Sequence, residues 1–115
     1  MPTFRQGEVI KVPFPYQDRA TRQWRPALVV STGGIEERHG LLWVAMITSA
    51  ENRGWPGDIA VSDLRLAGLP VPSVVRTAKI ATIEAADAVR LGRLAAPPLR
   101  RVIEHIVREL SGTGG

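Results

Sequence analysis

Arg25 stands between Trp24 and Pro26 at the head of the apolar run Ala27-Leu28-Val29-Val30, a setting that aims its guanidinium. Proline fixes its own φ and drives the preceding residue toward extended backbone, so Arg25 meets the run with little freedom to wander. A guanidinium held this way presents a planar fork of donors suited to phosphate. A lone loop arginine is usually just solvated. Here Arg19 and Arg22 precede it in the same segment with Tyr16 and Trp24 interleaved, the mixture of charge and stacking surface that holds single-stranded nucleic acid.

Such residues suit cleavage of RNA without a metal. There the ribose 2′-hydroxyl attacks, and the protein must activate it, stabilise charge on the phosphorus centre and assist the leaving oxygen. Arginine covers the second task, and losing one aimed donor costs about 3 to 4 kcal/mol of transition-state stabilisation. Thr48 ends a β-type run where its hydroxyl can donate to a phosphate oxygen, although threonine is also simply a good strand former. Arg76, flanked by Val75 and Thr77, reads either as a partly buried phosphate ligand or as half of an internal ion pair.

The general base is harder to find. Asp18 lies among the loop arginines, which would depress its pKa, and Glu51 follows Thr48-Ser49; both are candidates. His39 falls in the charged stretch Glu36-Glu37-Arg38-His39-Gly40 and His105 on the polar side of a helical pattern, which argues against a paired-histidine mechanism. With no cysteine and no HExxH, the sequence offers no metal-ligand set, and Gly33-Gly34 is too short for a phosphate loop. No cofactor is expected.

The elements that must position these groups are short. Gly7 to Phe14 alternates as a strand that Pro13 and Pro15 end, and a loop of about ten residues follows. Pro26–Thr32 and Leu41–Ser49 are β-branched runs separated by a Gly33-Gly34 turn, which predicts a hairpin-like pair. Gly57–Ser62 is a further strand, Ser62-Asp63 caps one helical turn through Ala67, and Ser73–Ile83 and Val89–Leu94 supply the last strands. From about residue 97 to 110, Leu99, Val102, Ile103, Ile106, Val107 and Leu110 repeat at helical spacing and are expected to face the core. Arg100, Arg101, Glu104, His105, Arg108 and Glu109 form the expected solvent face. The pattern predicts a mainly β single domain over residues 1–110, a small SH3-like barrel with a C-terminal helix, and a flexible tail at 111–115.

Composition agrees with an anionic partner. Lys and Arg number 15 against 11 Asp and Glu, a net charge of +4, and only Lys11 and Lys79 are lysines. Heavy arginine use also arises from codon composition alone. The absence of cysteine, of a transmembrane-length apolar run and of a signal-type start predicts a soluble, cytoplasmic protein with no membrane partner.

Five ordered pieces resemble the MazF/PemK (Kid) family of toxin-antitoxin ribonucleases. They are Gly7-Glu8-Val9, Arg25-Pro26-Ala27-Leu28-Val29-Val30-Ser31, Met46-Ile47-Thr48-Ser49, Pro72-Ser73-Val74-Val75-Arg76 and Leu91-Gly92-Arg93-Leu94, spanning nearly the whole chain. The resemblance implies a homodimer of SH3-like barrels that cuts single-stranded RNA endonucleolytically and is neutralised by a cognate antitoxin. It implies catalytic roles for Arg25, Thr48 and Arg76; Arg19, Arg22, Trp24, Ser49, Arg53 and Trp55 are the expected RNA contacts. The family often places an aspartate two residues after the second arginine, and here that position is Ala78, so that residue's general-base role does not transfer. A gyrase-binding toxin of the same barrel type, like the CcdB group, and a catalytically dead RNA-binding relative are the competing readings. The Arg25-Pro26 loop with Thr48 favours the ribonuclease, and Ala78 keeps the inactive relative in play.

Overall fold

A computed structural model describes residues 2–13, 24–52 and 54–112. Six strands, β1 (Glu8–Pro13), β2 (Trp24–Val29), β3 (Leu41–Ser49), β4 (Asp58–Ala60), β5 (Ser73–Glu84) and β6 (Val89–Arg93), form one antiparallel sheet in the order β4-β5-β3-β2-β1-β6. Three helices accompany it: α1 (Gly33–His39), α2 (Leu64–Ala67) and α3 (Ala96–Ser111). The expected Gly33-Gly34 turn is instead the start of α1, which ends at Gly40 in the left-handed conformation glycine adopts without strain. The strands it joins do pair, Ala27 with Met46 and Val29 with Val44.

Strand alternation sorts the sheet into two buried faces. On the first, Ile10, Val12, Ala27, Val29, Leu42, Val44, Met46, Ala81 and Ile83 pack with Phe4. On the second, Val9, Leu28, Ala45, Ile47 and Val75 pack against Val102 of α3 and against Val61, Ala67, Leu69 and Leu94. Both faces of β3 are therefore covered from Val44 to Thr48, and its sequence reads as an almost unbroken apolar run for that reason. The first core draws mostly on the sheet's own strands, which requires the sheet to curl around it.

The curl stops short of a hydrogen-bonded barrel. β4 and β6 are the sheet's two edges, and α2 bridges from the β4 side to β6. Asp63 caps α2 as expected, its side chain accepting from the Leu66 amide at 3.1 Å. The bridge is a contact of backbone on backbone: a Cβ at Gly92 would collide with the Leu66 carbonyl oxygen and the Ala67 carbonyl carbon.

The helical stripe of α3 is only partly core-facing. Val102 is fully buried, while Val107 is 54% and Leu110 80% exposed, because the helix runs past the end of the core it covers. Ser111, expected in the tail, closes the helix instead, its hydroxyl donating to the Arg108 carbonyl.

Gly92 and Gly40 separate steric from conformational cost. Gly92 has no positive φ but no room, whereas Gly40 has φ 69° and open space around its Cα. Gly92→Ala should lose about 2 to 3 kcal/mol by overpacking, and Gly40→Ala about 1 to 2 kcal/mol by left-handed strain. Urea unfolding of the two variants measures the difference; equal losses would contradict the close α2–β6 approach.

Candidate functional site

Three of the residues singled out by sequence share one face and one end of the sheet. Arg25 alternates with Ala27 and Val29, and Thr48 with Met46 and Val44, so both belong to the side of the first core. The β2–β3 register, carried two residues past its last pair Ala27 and Met46, brings Arg25 level with Thr48. Arg76 pairs directly with Met46, one row further in, and Asp58 of β4 pairs with Arg76.

The ladder between β3 and β5 breaks at this point. Ala45 pairs with Ile80 but the next residue, Met46, pairs with Arg76, leaving Thr77, Ala78 and Lys79 in a bulge beside the site. Bulges re-aim side chains, and this one separates Arg76, at 7% exposure, from the exposed Ala78.

Arg76 is one half of an ion pair. Its Nε donates to Asp58 Oδ1 at 3.2 Å and its Nη2 to Asp58 Oδ2 at 3.0 Å, with both side chains buried. Nη2 also donates to the Asn52 carbonyl at 2.6 Å. Trp55 lies over the guanidinium, 4.3 Å from ring centroid to Cζ, and its backbone amide donates to Asp58 Oδ2 at 3.3 Å. Of the two readings the sequence allowed, the internal ion pair is the one present, and it spends most of the fork that a phosphate ligand would use. Hydrogen bonds from the Arg76 guanidinium hold the Asp58 carboxyl below its ordinary range despite burial.

Asn52 links this pair to Thr48. A short 3₁₀ turn, Ala50–Asn52, follows β3, and from it Asn52 Nδ2 donates to Thr48 Oγ1 at 3.1 Å. Ser49 holds the turn by accepting from the Glu51 amide at 3.2 Å, and the Glu51 side chain points to solvent. Neither Asn52 nor Asp58 was singled out from sequence. Asp58 opens a short β run next to a glycine, and its partner, 18 residues away, follows only from the register.

Two exposed aromatic residues stand at this end of the sheet, Trp55 on the side of the site and Trp24, which alternates with Leu28, on the other. Trp24 is 52% and Trp55 44% exposed; the Lys11 ammonium stands 5.8 Å from the Trp24 ring, and that of Lys79 5.9 Å from the Trp55 ring. Arg25 is half-buried at the start of β2. Asp18, Arg19, Arg22 and Arg53 lie outside the described residues.

His105 departs from its expected solvent face. It is half-buried against Gly57, where an added Cβ would stand 2.7 Å from its Nε2, and the Thr77 hydroxyl donates to the same glycine's carbonyl at 3.0 Å. The cause is that α3 packs against β4 and β5 as well as over the second core, which brings this side of the helix onto their corner. Together with Pro56, Ala78, Ile80 and Glu109, His105 lines a groove of about 490 Å³.

A family model described as "PemK-like, MazF-like toxin of type II toxin-antitoxin system" matches residues 5–110. Among solved structures the chain is similar to MazF from Deinococcus radiodurans, at 22% identity and a TM-score of 0.73, with 95% of this chain and 96% of that one covered. A MazE–MazF complex from the same organism aligns at 23% identity and a TM-score of 0.71, covering 94% of each chain. An endoribonuclease from a mycobacterial species, solved with its cognate antitoxin, aligns at 17% identity and a TM-score of 0.67, covering 97% and 96%. No curated protein sequence matches the chain.

The depressed Asp58 pKa makes stability depend on acid in a fixed direction. A carboxyl whose folded pKa lies below its unfolded value of about 3.9 contributes its full stabilisation above that value. The contribution fades as pH falls through the lower, folded pKa. Asp58→Asn should therefore lower the melting temperature at neutral pH and reduce the loss of stability on acidification, as read by thermal unfolding from pH 7 to pH 2.

Proposed function

The chain belongs to the PemK-like, MazF-like toxin family of type II toxin-antitoxin systems, and from that premise we propose that it is a metal-independent endoribonuclease of single-stranded RNA. The observation that carries the reading is the convergence of Arg25 and Thr48 on one end of one sheet face, with Trp55 stacked on the neighbouring Arg76 and Trp24 exposed at the same end on the other face. Charge, a hydroxyl and stacking surfaces then share one end of the sheet. A gyrase binder has no need of that set.

In this reading the 2′-oxygen bonds to phosphorus as the bond from phosphorus to the 5′-oxygen breaks. The products are a 2′,3′-cyclic phosphate and a free 5′-hydroxyl. Arg25 stabilises the charge that builds on the non-bridging oxygens, and Thr48 donates its hydroxyl hydrogen to one of them. Trp24 and Trp55 stack bases, while Arg19, Arg22, Ser49 and Arg53 hold the backbone on either side. Arg76, committed to Asp58, acts from behind the reacting phosphate by holding Trp55 and the Ala50–Asn52 turn. Asp18 and Glu51 are the carboxylates from which the base that takes the 2′-hydroxyl proton is drawn, and the leaving 5′-oxygen takes up a proton from water.

The toxin acts as a homodimer, is restrained by a cognate antitoxin and works in the cytoplasm. The far end of α3 supports the dimer. Val107 and Leu110 are exposed beside Trp43, Ile35 and Ile103, which together line a groove of about 570 Å³ on the face opposite the site. A second copy would remove this apolar surface from water.

Purified protein should cut single-stranded RNA, spare DNA and be indifferent to EDTA. Arg25→Ala should abolish cleavage, since one lost donor is worth a factor of about 10² to 10³; Thr48→Ala should lower it severely, and Ala78→Asp should change little. Single-turnover rates on one RNA measure all four proteins, and an Arg25→Ala variant as fast as wild type would sink the assignment.

Light scattering should report about twice the chain mass at micromolar concentration, and Leu110→Asp should halve it. A dimer that persists in Leu110→Asp would move the interface elsewhere.

A further inference from the structure

Thr48 does its proposed work only if its hydroxyl hydrogen points away from the protein's own acceptors. A threonine hydroxyl carries one hydrogen and two lone pairs and rotates to suit its neighbours. Here Asn52 Nδ2 occupies a lone pair on Oγ1 at 3.1 Å. Among the described residues the hydrogen itself meets no acceptor. The amide thus fixes Thr48 as a donor.

Asn52 is held at its other end. Its carbonyl receives the 2.6 Å bond from Arg76 Nη2, and Arg76 is locked by two bonds to Asp58. The chain of contacts runs from a buried ion pair on β4 and β5, through one exposed turn, to the hydroxyl at the end of β3. Asn52 is exposed, so the fold gains little from ordering its side chain. An exposed amide bonded at both main chain and side chain, one contact from the proposed reacting group, has a purpose other than packing.

We propose that Asn52 is a positioning residue of the RNA-cleavage site, held by the Arg76–Asp58 pair, which presents the Thr48 hydroxyl as a hydrogen-bond donor to the scissile phosphate. The proposal rests on the ribonuclease reading. It accounts for a buried Arg76 that lies near the phosphate site but spends its donors inside the protein. Arg76 sets the turn, the turn sets Asn52, and Asn52 sets Thr48.

Two substitutions at Asn52 separate direction from mere contact. Alanine removes the bond and frees the hydroxyl to rotate. Aspartate keeps the shape but only accepts, so it captures the Thr48 hydrogen and removes it from the phosphate. Because Asn52 is exposed, both variants should melt with the wild-type midpoint, which is checked first. Single-turnover cleavage at saturating RNA then reads the chemical step, and binding of an all-2′-deoxy version of the same oligonucleotide reads affinity.

Asn52→Ala should slow cleavage about tenfold and Asn52→Asp about a hundredfold, with affinity for the uncleavable oligonucleotide unchanged. The Asn52→Asp defect should persist when salt is raised several-fold. Three results overturn the proposal while leaving the ribonuclease reading intact. They are an Asn52→Ala variant as fast as wild type, an Asn52→Asp variant no slower than Asn52→Ala, and an Asn52→Asp loss that sits in affinity or fades with salt, the mark of charge repulsion. A wild-type protein that leaves every RNA intact overturns both.

Discussion

Burial of the Arg76–Asp58 pair fixes where β4, the Ala50–Asn52 turn and Trp55 sit relative to β5. Two charges withdrawn from water are costly unless every donor and acceptor finds a partner. Here the carboxylate takes both arms of the guanidinium fork plus the Trp55 amide, and the indole covers the cation's face. Such a pair stabilises less than its short distances suggest, but loss of either partner strands the other; the cost is about 3 to 5 kcal/mol. What the pair contributes is uniqueness of arrangement. A three-residue edge strand has little else to fix its register, and an Asp58 slipped by one residue would point to the opposite face.

The sheet's two faces divide the work. The first curls around its own core and carries, at its open end, the donors of the site with Trp55 stacked on Arg76. The second is roofed by α3 only along part of its length, leaving Trp43, Val107 and Leu110 uncovered. The bulge at Thr77–Lys79 lies where these regions meet, with Lys79 near Trp55 and Ala78 in the groove beside His105.

The fold was legible in the chain because its signals are local. Alternation and β-branching marked the strands, Asp63 announced α2, and Gly7-Glu8-Val9 and Leu91-Gly92-Arg93-Leu94 marked strands that pair with each other. Arg25 and Thr48 were legible as a family pattern. What sequence could not supply was long-range register. Asp58 became visible as the partner of Arg76 only once β4 was laid against β5, and His105 only once α3 was laid against both. The Gly33-Gly34 pair misled for a different reason: two glycines signal a turn, yet Ile35 through His39 have enough helical tendency to continue past them. The end of α3 misled because periodicity reports an apolar stripe without reporting what covers it.

β1 and β6 lie side by side in the sheet, and the Glu8–Arg90 ion pair joins residues 82 positions apart. Contacts so distant along the chain are slow to form, because the intervening segment must be ordered first. On a ribosome, β1 must wait for Val89–Arg93 to emerge before its second neighbour, β6, exists. Under the proposed ribonuclease reading this timing is protective: while its own message is still being read, a nascent chain without β6 lacks the strand that completes its sheet, and attack on that message is deferred.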